Sequence, residues 1–598
     1  MMTKNNSNNS ITQNKWMTFR QALFLSLLWT TSLIASGQSE YDVVVNSTFS
    51  PVISDAQQKI NEKANIVDTV KVTKPVEYAV NAPVFVTRFV PEPIKAPKIG
   101  KDQISRLYRN FVKLGFGNYW TPYFDFEVNS LRSTKWAYGG RIFHHSSWGK
   151  IKTYPTASQS NTKIEAYLQR FFKNYTLTTR AGYNHLLAHC YGFHPDSVFP
   201  QSMDYKLNAK DIRRQYHHIN MNMGFSNNNI NKNKLNQQYA INYDFLTDNT
   251  PKTYEHQLGL TAALNHDIQL KKAFSLNAGG EIGFNYFHNR WNNAHLSDNA
   301  LANINPHITF KYEEYFIKAG FNALLHFRQG EKAKFHFYPD IEARLHIVPQ
   351  IFTFYAGLNG GMRRNSYLSF VEENPYLSNM VDLGFTDEKT KIFAGIQLGI
   401  SRSLSIGARA SFAFCAGKPF FINDTLQKFF LHTQDTAMEL YLNNTFNIVE
   451  DKANQLNLHF DLRYQYKNQL WLSLNLDYNY YKLSVDLLEA WYKPRFIAEF
   501  EIDYLLLEKF LFGLDLYIHT GAKYPEFING GIAPKSMKAV FDFNFSFEYI
   551  WSKRLSFFLN VNNFAYQRNY FYQDYPSLRI NCLVGVKYNF GGEAIGKK

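Results

Sequence analysis

Apolar and polar residues alternate with a period of two along most of this chain. Every second residue from Leu472 to Tyr480 is Leu or Tyr, and the residues between them are Ser, Asn and Asp. The segment from Phe541 to Tyr549 places Phe or Tyr at every second position in the same way. Side chains alternate between two faces along a strand, whereas a helix needs apolar positions three or four apart. The chain is therefore predicted to form β-strands with one apolar and one polar face.

The composition excludes several classes of protein. Aromatic residues make up 17% of the 598 residues, and 45% are hydrophobic, which is too apolar for a disordered chain. The mean hydropathy is nevertheless −0.35. Beyond the N-terminus, no apolar run reaches the roughly 18 residues of a spanning helix. Transmembrane β-barrels combine these properties, because each strand shows one face to lipid and the other to a wet lumen.

The connections between the predicted strands favour a barrel over a set of soluble β-sandwiches, which also alternate. Short turns such as 551–554 and 348–350 are followed along the chain by long polar loops such as 190–210, 289–300 and 364–388. Short periplasmic turns and long outer loops are typical of outer-membrane barrels. The apolar face is also dominated by Phe, Tyr and Leu even where the intervening residues are charged.

The strand count depends on one region of the sequence. If residues 437–450 and 455–467 are separate strands, the count is about 23 and the long loops change sides of the membrane. If Asn444 to Tyr466 is one long strand, the count is about 22 and both termini are periplasmic. An even count is usual for single-chain bacterial barrels. We therefore predict an all-β fold, a transmembrane antiparallel up-and-down barrel of about 22 strands over residues 110–590, with a short extended N-terminal periplasmic segment and a periplasmic tail at 591–598.

The N-terminus has the features of an export signal. Lys4, Lys15 and Arg20 precede an apolar stretch over residues 22–34, which ends on the small residues of Ala35-Ser36-Gly37. This pattern predicts a signal peptide over residues 1–37, cleaved before Gln38. The expected location is the outer membrane of a Gram-negative bacterium, as an integral protein in contact with outer-membrane lipid.

Two stretches near the C-terminus resemble the barrel of TonB-dependent receptors. The first is the glycine-rich run AGLNGGMRRN at 356–365, followed by ENPYL at 373–377 and KIFAG at 391–395. The second is VNNF at 561–564, followed by Tyr575-Pro576 and by GVKYNF at 585–590, which is similar to the last hairpin of those receptors. The resemblance covers roughly residues 350–590 and implies a 22-stranded barrel, but not a particular substrate.

The resemblance also implies a folded plug domain between the signal and the barrel, and the sequence departs from it there. Only residues 38–109 are available, and prolines at 75, 83, 91, 93 and 97 disfavour long helices and central strands. This segment is expected to be extended, either in the periplasm or inside the lumen, so that a full plug is lacking. Asp42, Val43, Val44 and Val45 resemble the short element that TonB grips by strand addition. An ordinary apolar strand is the alternative interpretation of these four residues.

The polar face of the later strands carries a series of carboxylates that are candidates for an acidic lumen wall: Asp477, Glu499, Glu501, Asp503, Asp515, Asp542 and Glu548. The preceding segment is basic, and its candidate lumen-docking residues are Lys71, Lys74, Arg88, Lys95 and Lys98. Opposite charges attract strongly in a confined lumen. One hypothesis is that residues 70–109 fill the barrel. The alternative is that the carboxylates are solvated pore lining and that the segment binds another protein in the periplasm.

The sequence favours transport over catalysis. No phosphate loop, nucleophile elbow or zinc-binding helix motif occurs, and the three cysteines are scattered, so we expect no catalytic site, cofactor or metal. The formal charge of +15 is spread along the chain without a basic tract, so no nucleic-acid partner is expected. The protein is predicted to take part in transport or uptake of a solute. The alternative is a non-transporting barrel component of an assembly, secretion or nutrient-uptake complex, which binds outer-membrane or periplasmic proteins through the N-terminal segment or the outer loops.

Overall fold

The structure, a computed structural model, describes residues 110–130, 133–199, 207–227, 235–248, 253–271, 274–291, 295–378, 381, 383–425, 428–432, 437–484, 487–528 and 531–591. The predicted signal peptide and the segment 38–109 lie outside these residues, as does the C-terminal tail beyond Gly591.

In the described part of the chain, no helix combines the length and the apolar composition needed to cross a membrane.

Twenty-two strands of the described residues form one continuous antiparallel sheet. Numbered in chain order together with the two hairpins given below, they are β1 Asn110–Gly117, β2 Thr121–Asn129, β3 Trp136–Ser147, β4 Gln159–Phe171, β5 Tyr175–His189, β6 Arg213–Asn227, β7 Asn236–Asp248, β8 Thr253–Lys271, β9 Phe274–Trp291, β10 His295–Tyr312, β11 Tyr315–Arg328, β12 Lys334–Val348, β13 Phe352–Arg364, β14 Phe385–Gly399, β15 Leu404–Asn423, β18 Phe446–Tyr466, β19 Leu470–Leu483, β20 Phe496–Leu506, β21 Phe510–Thr520, β24 Val540–Ile550, β25 Leu555–Asn562 and β26 Asn581–Phe590.

The smaller elements lie in the connections between barrel strands. Two hairpins, each a separate two-stranded sheet, are β16 Lys428–His432 with β17 Ala437–Tyr441 and β22 Lys523–Ile528 with β23 Gly531–Ser536. The α-helices of the described residues are α1 Pro195–Val198 and α2 Tyr367–Glu373, and a 3-10 turn covers Ala209–Ile212.

The sheet closes on itself to form a barrel. The first strand, β1, pairs antiparallel with the last, β26, from Asn110 opposite Phe590 to Gly117 opposite Leu583. Every other barrel strand pairs with its predecessor and its successor in the sheet. The predicted up-and-down barrel of 22 strands is therefore confirmed. The uncertain region is one long strand, β18, so the count of 22 was the correct alternative.

The long connections all lie at one end of the barrel, which we call the outer end. They cover residues 148–158, 190–212, 365–384, 424–445, 484–495, 521–539 and 563–580, whereas the connections at the opposite end have two to eight residues. One predicted long loop is wrong. Residues 289–300 lie mostly in β9 and β10, which pair up to His295 opposite Trp291. The asparagines that suggested a loop include Asn289, which is fully buried on the lumen side and hydrogen-bonded.

The two faces of the barrel wall differ as the alternation predicts. Large apolar side chains such as Leu514, Phe557 and Tyr588 are exposed on the face that would contact lipid. On the opposite face, polar side chains pair across strands, as when Asn457 Nδ2 donates to Asn479 Oδ1 at 3.1 Å. The exposed aromatics thus lie where a bilayer would cover them, and the polar atoms satisfy one another around the lumen.

Candidate functional site: a loop across the outer end of the lumen

The connection between β13 and β14, residues 365–384, folds into the barrel instead of extending away from it. We call it the inner loop. Its helix α2 packs against inward-facing side chains of strands on one arc of the barrel, among them Tyr216 of β6 and Trp291 of β9. Its later part pairs with β18 on another arc, through the isolated bridge between Leu377 and Phe446. The inner loop therefore lies across the outer end of the lumen.

The first turn of α2 is anchored to the barrel wall by a buried carboxylate. Glu255 of β8 accepts hydrogen bonds from the backbone N–H groups of Tyr367 at 2.9 Å and Leu368 at 3.2 Å. Ser366 supplies the N-cap, since its hydroxyl accepts from the backbone N–H of Ser369. The first N–H groups of a helix have no partner within the helix, and a negative charge is favourable there. Glu255 is only 1% exposed, so the wall supplies this charge from within the protein.

A second buried group on the wall binds the side chain of the same helix. The hydroxyl of Tyr367 donates to Asp248 Oδ2 at 3.2 Å, and Arg214 Nη1 donates to the same oxygen at 3.0 Å. All three side chains are buried. Burial raises the pKa of the Tyr367 phenol well above its ordinary value, so it stays a neutral donor to the carboxylate. Asp248 therefore connects the helix to a charged pair between β6 and β7.

The base of the inner loop is fixed by Arg364 and Asn365. Arg364 Nη1 donates to the carbonyl of Leu383 at 2.8 Å, and Nη2 donates to Asn289 Oδ1 at 3.1 Å. Asn365 Nδ2 donates to Glu450 Oε1 at 2.8 Å, and that oxygen also accepts from the backbone N–H of Gly384 at 3.0 Å. Because one carboxylate of β18 binds both ends of the loop, the two ends are held beside each other.

The far part of the loop is held by backbone hydrogen bonds to the wall and by stacked aromatic rings. The backbone N–H of Phe446 donates to the carbonyl of Tyr376 at 3.0 Å, and that of Ser378 donates back to the carbonyl of Phe446 at 2.7 Å. The rings of Tyr376 and Tyr575 stack with centroids 3.8 Å apart. Tyr575 belongs to the connection 563–580, so the inner loop also packs against a second outer loop.

An apolar cluster surrounds these polar contacts. It combines inner-loop residues with inward residues of the wall and with residues of other outer loops: Tyr367, Phe370, Val371, Leu377, Val381, Leu383, Tyr216, Leu246, Trp291, Phe421, Phe446, Trp491, Tyr492 and Tyr575 are among its buried members. Burial of each large apolar side chain is worth about 1.5–3 kcal/mol. The outer end of the lumen is therefore packed with a protein core.

The seven candidate acidic residues lie on the polar face of four strands that succeed one another in the sheet. Asp477 is on β19, three are on β20, Asp515 is on β21, and Asp542 and Glu548 are on β24. Glu501 stands directly opposite Asp515 in the register, and both are exposed. Like charges directly opposite each other are destabilising. In the described part of the chain, no group of three or more His, Cys, Asp or Glu is placed to hold a metal ion.

Several of these acids have partners. Asp477 Oδ1 lies 2.9 Å from Nδ1 of His459, and Glu548 accepts from the hydroxyl of Ser556 at 2.5 Å with Lys587 Nζ 3.6 Å away. Glu501 and Asp503 line, together with Arg402 and Arg463, a cavity of about 320 Å³ near the short-turn end. The wall is therefore acidic over β20 and β21 and partly neutralised at its edges. Its role in function stays a prediction.

The remaining candidate residues lie outside the described residues: the TonB-contact element Asp42, Val43, Val44 and Val45 and the basic residues Lys71, Lys74, Arg88, Lys95 and Lys98. Filling of the lumen by residues 70–109 and contact with TonB therefore stay predictions.

Sequence reasoning missed the residues that anchor the inner loop. Asp248 is the last residue of β7 and Glu255 is the third residue of β8. In the sequence, both therefore resemble ordinary polar residues at strand ends beside a turn. Their partners lie more than a hundred residues away. One signal was available: a carboxylate at an inward position near the outer end needs a donor there, and the inner loop offers the N-terminus of a helix.

Comparison with solved structures identifies the architecture. The barrel superposes on the ferripyoverdine receptor of the outer membrane of Pseudomonas aeruginosa with a TM-score of 0.59 and 10% identity, over 81% of this chain and 72% of that one. The fold is that of a TonB-dependent receptor barrel. The FrpB iron transporter from Neisseria meningitidis matches with a TM-score of 0.57 and 10% identity, over 82% of each chain. The ferric-catecholate import receptor Fiu from Escherichia coli K12 gives a TM-score of 0.57 and 9% identity, again over 82% of each chain.

At these identities the likeness is one of fold. No protein-family model matches the sequence, and neither does any curated protein. The solved proteins are described as receptors and transporters. The resemblance in residues 350–590 is confirmed at the level of the barrel.

Proposed function

We propose that this protein takes part in transport of a solute across the outer membrane, and that the inner loop controls passage through the barrel. The observation that carries the proposal is the attachment of the inner loop across the outer end of the lumen, through Glu255 and Asp248. A 22-stranded barrel encloses a lumen wide enough to need a plug. The solved proteins of the same fold include iron and copper transporters, which supports a transport role.

The closing role of the inner loop can be tested by removing it. The backbone N–H of Asn365 donates to the carbonyl of Gly384 at 3.2 Å, so a short Gly-Ser linker can replace residues 366–383 without moving β13 or β14. We expect this variant to raise the conductance of the full chain in planar lipid bilayers. An unchanged conductance, in a variant that still shows the barrel's circular dichroism, would contradict the proposal.

The chain offers a matched control in the hairpin β22–β23. Its ends are also adjacent, because the backbone N–H of Met537 donates to the carbonyl of Ala522 at 2.9 Å. Replacing residues 523–536 by the same linker removes an outer-loop element of similar size. We expect this deletion to change the conductance less than loss of the inner loop does, because the hairpin forms a sheet separate from the inner loop, although Tyr524 at its base packs against the apolar cluster.

A second candidate function is a protein-binding component of an outer-membrane complex. The observation that favours it is the same hairpin, which carries Phe527, Ile528 and Ile532 exposed near its end. Exposed apolar side chains grouped on one surface are typical of interaction sites. If this function is correct, a stoichiometric protein partner co-purifies with the wild-type chain in mild detergent and is lost from the variant without residues 523–536.

We also infer that residues 1–37 are removed during export and that the mature chain is an integral protein of the Gram-negative outer membrane. The receptor-type barrel supports this location. N-terminal sequencing of the protein from an outer-membrane fraction tests it. A first residue of Gln38 is expected, and an intact Met1 would contradict it.

A further inference from the structure

A cavity of about 720 Å³ lies at the outer end of the barrel, beside the inner loop. Its lining includes residues of β19, β21 and β24, of the inner loop, and of the connections 484–495 and 563–580. Cavities that bind small molecules have volumes of about 300–1,000 Å³ and combine apolar surface with a few polar groups. This cavity therefore has the size of a ligand site.

Aromatic rings supply much of the surface of the cavity. Phe571 is 39% exposed in the connection 563–580. Its ring lies 5.7 Å from that of His519 and 6.3 Å from that of Tyr517, measured between centroids. Tyr481 and Tyr572 also line the cavity. A ligand with a flat apolar face would stack on Phe571 without any rearrangement of the wall.

Three polar atoms along the same cavity are buried and have no hydrogen-bond partner among the described residues. They are Nδ1 of His519, Nε of Arg579 and Oδ1 of Asn581. His519 is only 7% exposed. An unpaired buried polar atom is unfavourable, by an amount comparable to the free energy of a hydrogen bond. Together these groups offer one guanidinium donor, one amide acceptor and one imidazole nitrogen to a bound molecule.

The fixed charges of the cavity balance. Lys493 Nζ lies 2.5 Å from Glu373 Oε1, so this pair is neutral as a unit. Asp542 and Arg579 are the other acid and the other permanent base of the lining. A cavity for a strongly anionic or cationic ligand would carry an excess of the opposite charge. The balance here favours an uncharged ligand.

We propose that this cavity binds a neutral polyhydroxylated ring compound, a monosaccharide or short oligosaccharide, which stacks on Phe571 and exchanges hydrogen bonds with His519, Arg579 and Asn581. Such a ring has an apolar face and a rim of hydroxyl groups that both donate and accept. It therefore matches the aromatic surface and the mixed donors and acceptors at the same time. The inference rests on the proposed transport function and specifies the class of its solute.

Binding is tested on the full chain in a zwitterionic detergent, because glycoside detergents carry the proposed ligand chemistry. Saturation-transfer NMR is recorded with three neutral probes, maltotriose, xylotriose and mannotriose, and with the anionic trigalacturonate. We expect at least one neutral trisaccharide to bind saturably and trigalacturonate to bind at least tenfold more weakly. Absence of binding by all three neutral probes, or stronger binding of trigalacturonate, would overturn the inference.

Affinity measurements on substituted proteins test whether the ligand binds in this cavity. Phe571→Ala is expected to weaken the affinity about tenfold, which corresponds to about 1.4 kcal/mol. His519→Leu, which removes the unpaired nitrogen, is expected to weaken it several-fold. The matched control is Phe557→Ala, since Phe557 is as exposed as Phe571 but lies on the outward face of β25. Equal affinity in Phe571→Ala and wild type, or an equal loss in Phe557→Ala, would overturn the assignment.

The outcome is separable from that of the proposed function. If no neutral saccharide binds but removal of the inner loop still raises the conductance, the ligand class is wrong and the transport role stands. If a saccharide binds through Phe571 but the conductance does not respond to the inner loop, the ligand site stands without the gate.

Discussion

Glu255 on the barrel wall accepts the backbone N–H of Tyr367, at 2.9 Å, across 112 residues of sequence. One carboxylate oxygen of a strand thereby caps the first turn of a helix that lies inside the lumen. The contact is buried, so its strength is little reduced by solvent. It fixes the first turn of α2 to the wall.

Replacing Glu255 is expected to release the inner loop. Glu255→Ala removes the hydrogen bonds to Tyr367 and Leu368 and leaves these two backbone N–H groups without their acceptor. Hydrogen bonds to a charged group contribute about 2 kcal/mol, so the ratio of open to closed states should rise about thirtyfold. Single-channel recording in planar bilayers measures this ratio as open probability.

Glu281→Ala is the control for that substitution. Glu281 lies on β9, next to β8, and is exposed in the middle of the strand. The substitution Glu281→Ala removes the same charge without changing a contact of the inner loop. If both variants change the open probability equally, the effect comes from lumen charge and the role given to Glu255 is wrong.

Two substitutions around Asp248 should lower the free energy of unfolding by different amounts. Tyr367→Phe removes one hydrogen bond to a carboxylate and leaves Arg214 paired with Asp248, so we expect a loss of about 2 kcal/mol. Asp248→Ala leaves the buried Arg214 guanidinium without its ion-pair partner, which costs about 3–5 kcal/mol. Urea titration of the folded barrel, followed by tryptophan fluorescence, measures both losses. Equal losses in the two variants would show that the ion pair contributes nothing beyond the hydrogen bond.

Substitution by Arg should have opposite effects on the stability of the barrel at two adjacent residues of β21, Leu514 and Asp515. Leu514 is exposed on the outward face, so Leu514→Arg places a charge in the lipid and should destabilise the barrel by about 2–4 kcal/mol. Asp515→Arg places the charge on the polar face opposite Glu501, where it relieves the repulsion between two acids. Unfolding in lipid vesicles measures both. A larger loss for Asp515→Arg would reverse the assignment of the two faces.

The barrel could be predicted from the sequence because each strand carries its own two-residue signal. The alternation at 472–480 and 541–549 reports locally which face meets lipid. A single long strand at β18 was favoured because it keeps all the long loops on the same side of the membrane. The prediction of a loop at 289–300 was wrong because asparagine residues, which suggest a turn in the sequence, can equally well lie on a hydrogen-bonded lumen face, as Asn289 does. The inner loop could not be predicted, since its contacts join residues such as Asp248 and Tyr367, which are 119 positions apart, and no local pattern encodes them.

The acidic wall should make the barrel cation-selective. Glu501→Gln together with Asp515→Asn removes two exposed charges that face each other on β20 and β21. We expect the reversal potential under a salt gradient to fall towards zero, most clearly at low ionic strength, because salt screens exposed charges. Glu548→Gln should change it less, because Glu548 already lies beside Lys587. An equal effect at both sites would contradict the proposed role of the β20–β21 acids.

The most direct test of the central claim is to lock the inner loop by a disulfide in the channel that Glu255→Ala opens. Leu377 and Phe446 form a bridge between the loop and β18, and neighbouring strands lie about 4.8 Å apart, within the range that a disulfide spans. Cysteines at these two positions are introduced after replacement of Cys190, Cys415 and Cys582 by alanine. If the inner loop closes the lumen, oxidation returns the open probability to the wild-type level and dithiothreitol raises it again. A conductance that stays high in the oxidised, cross-linked protein would contradict the account.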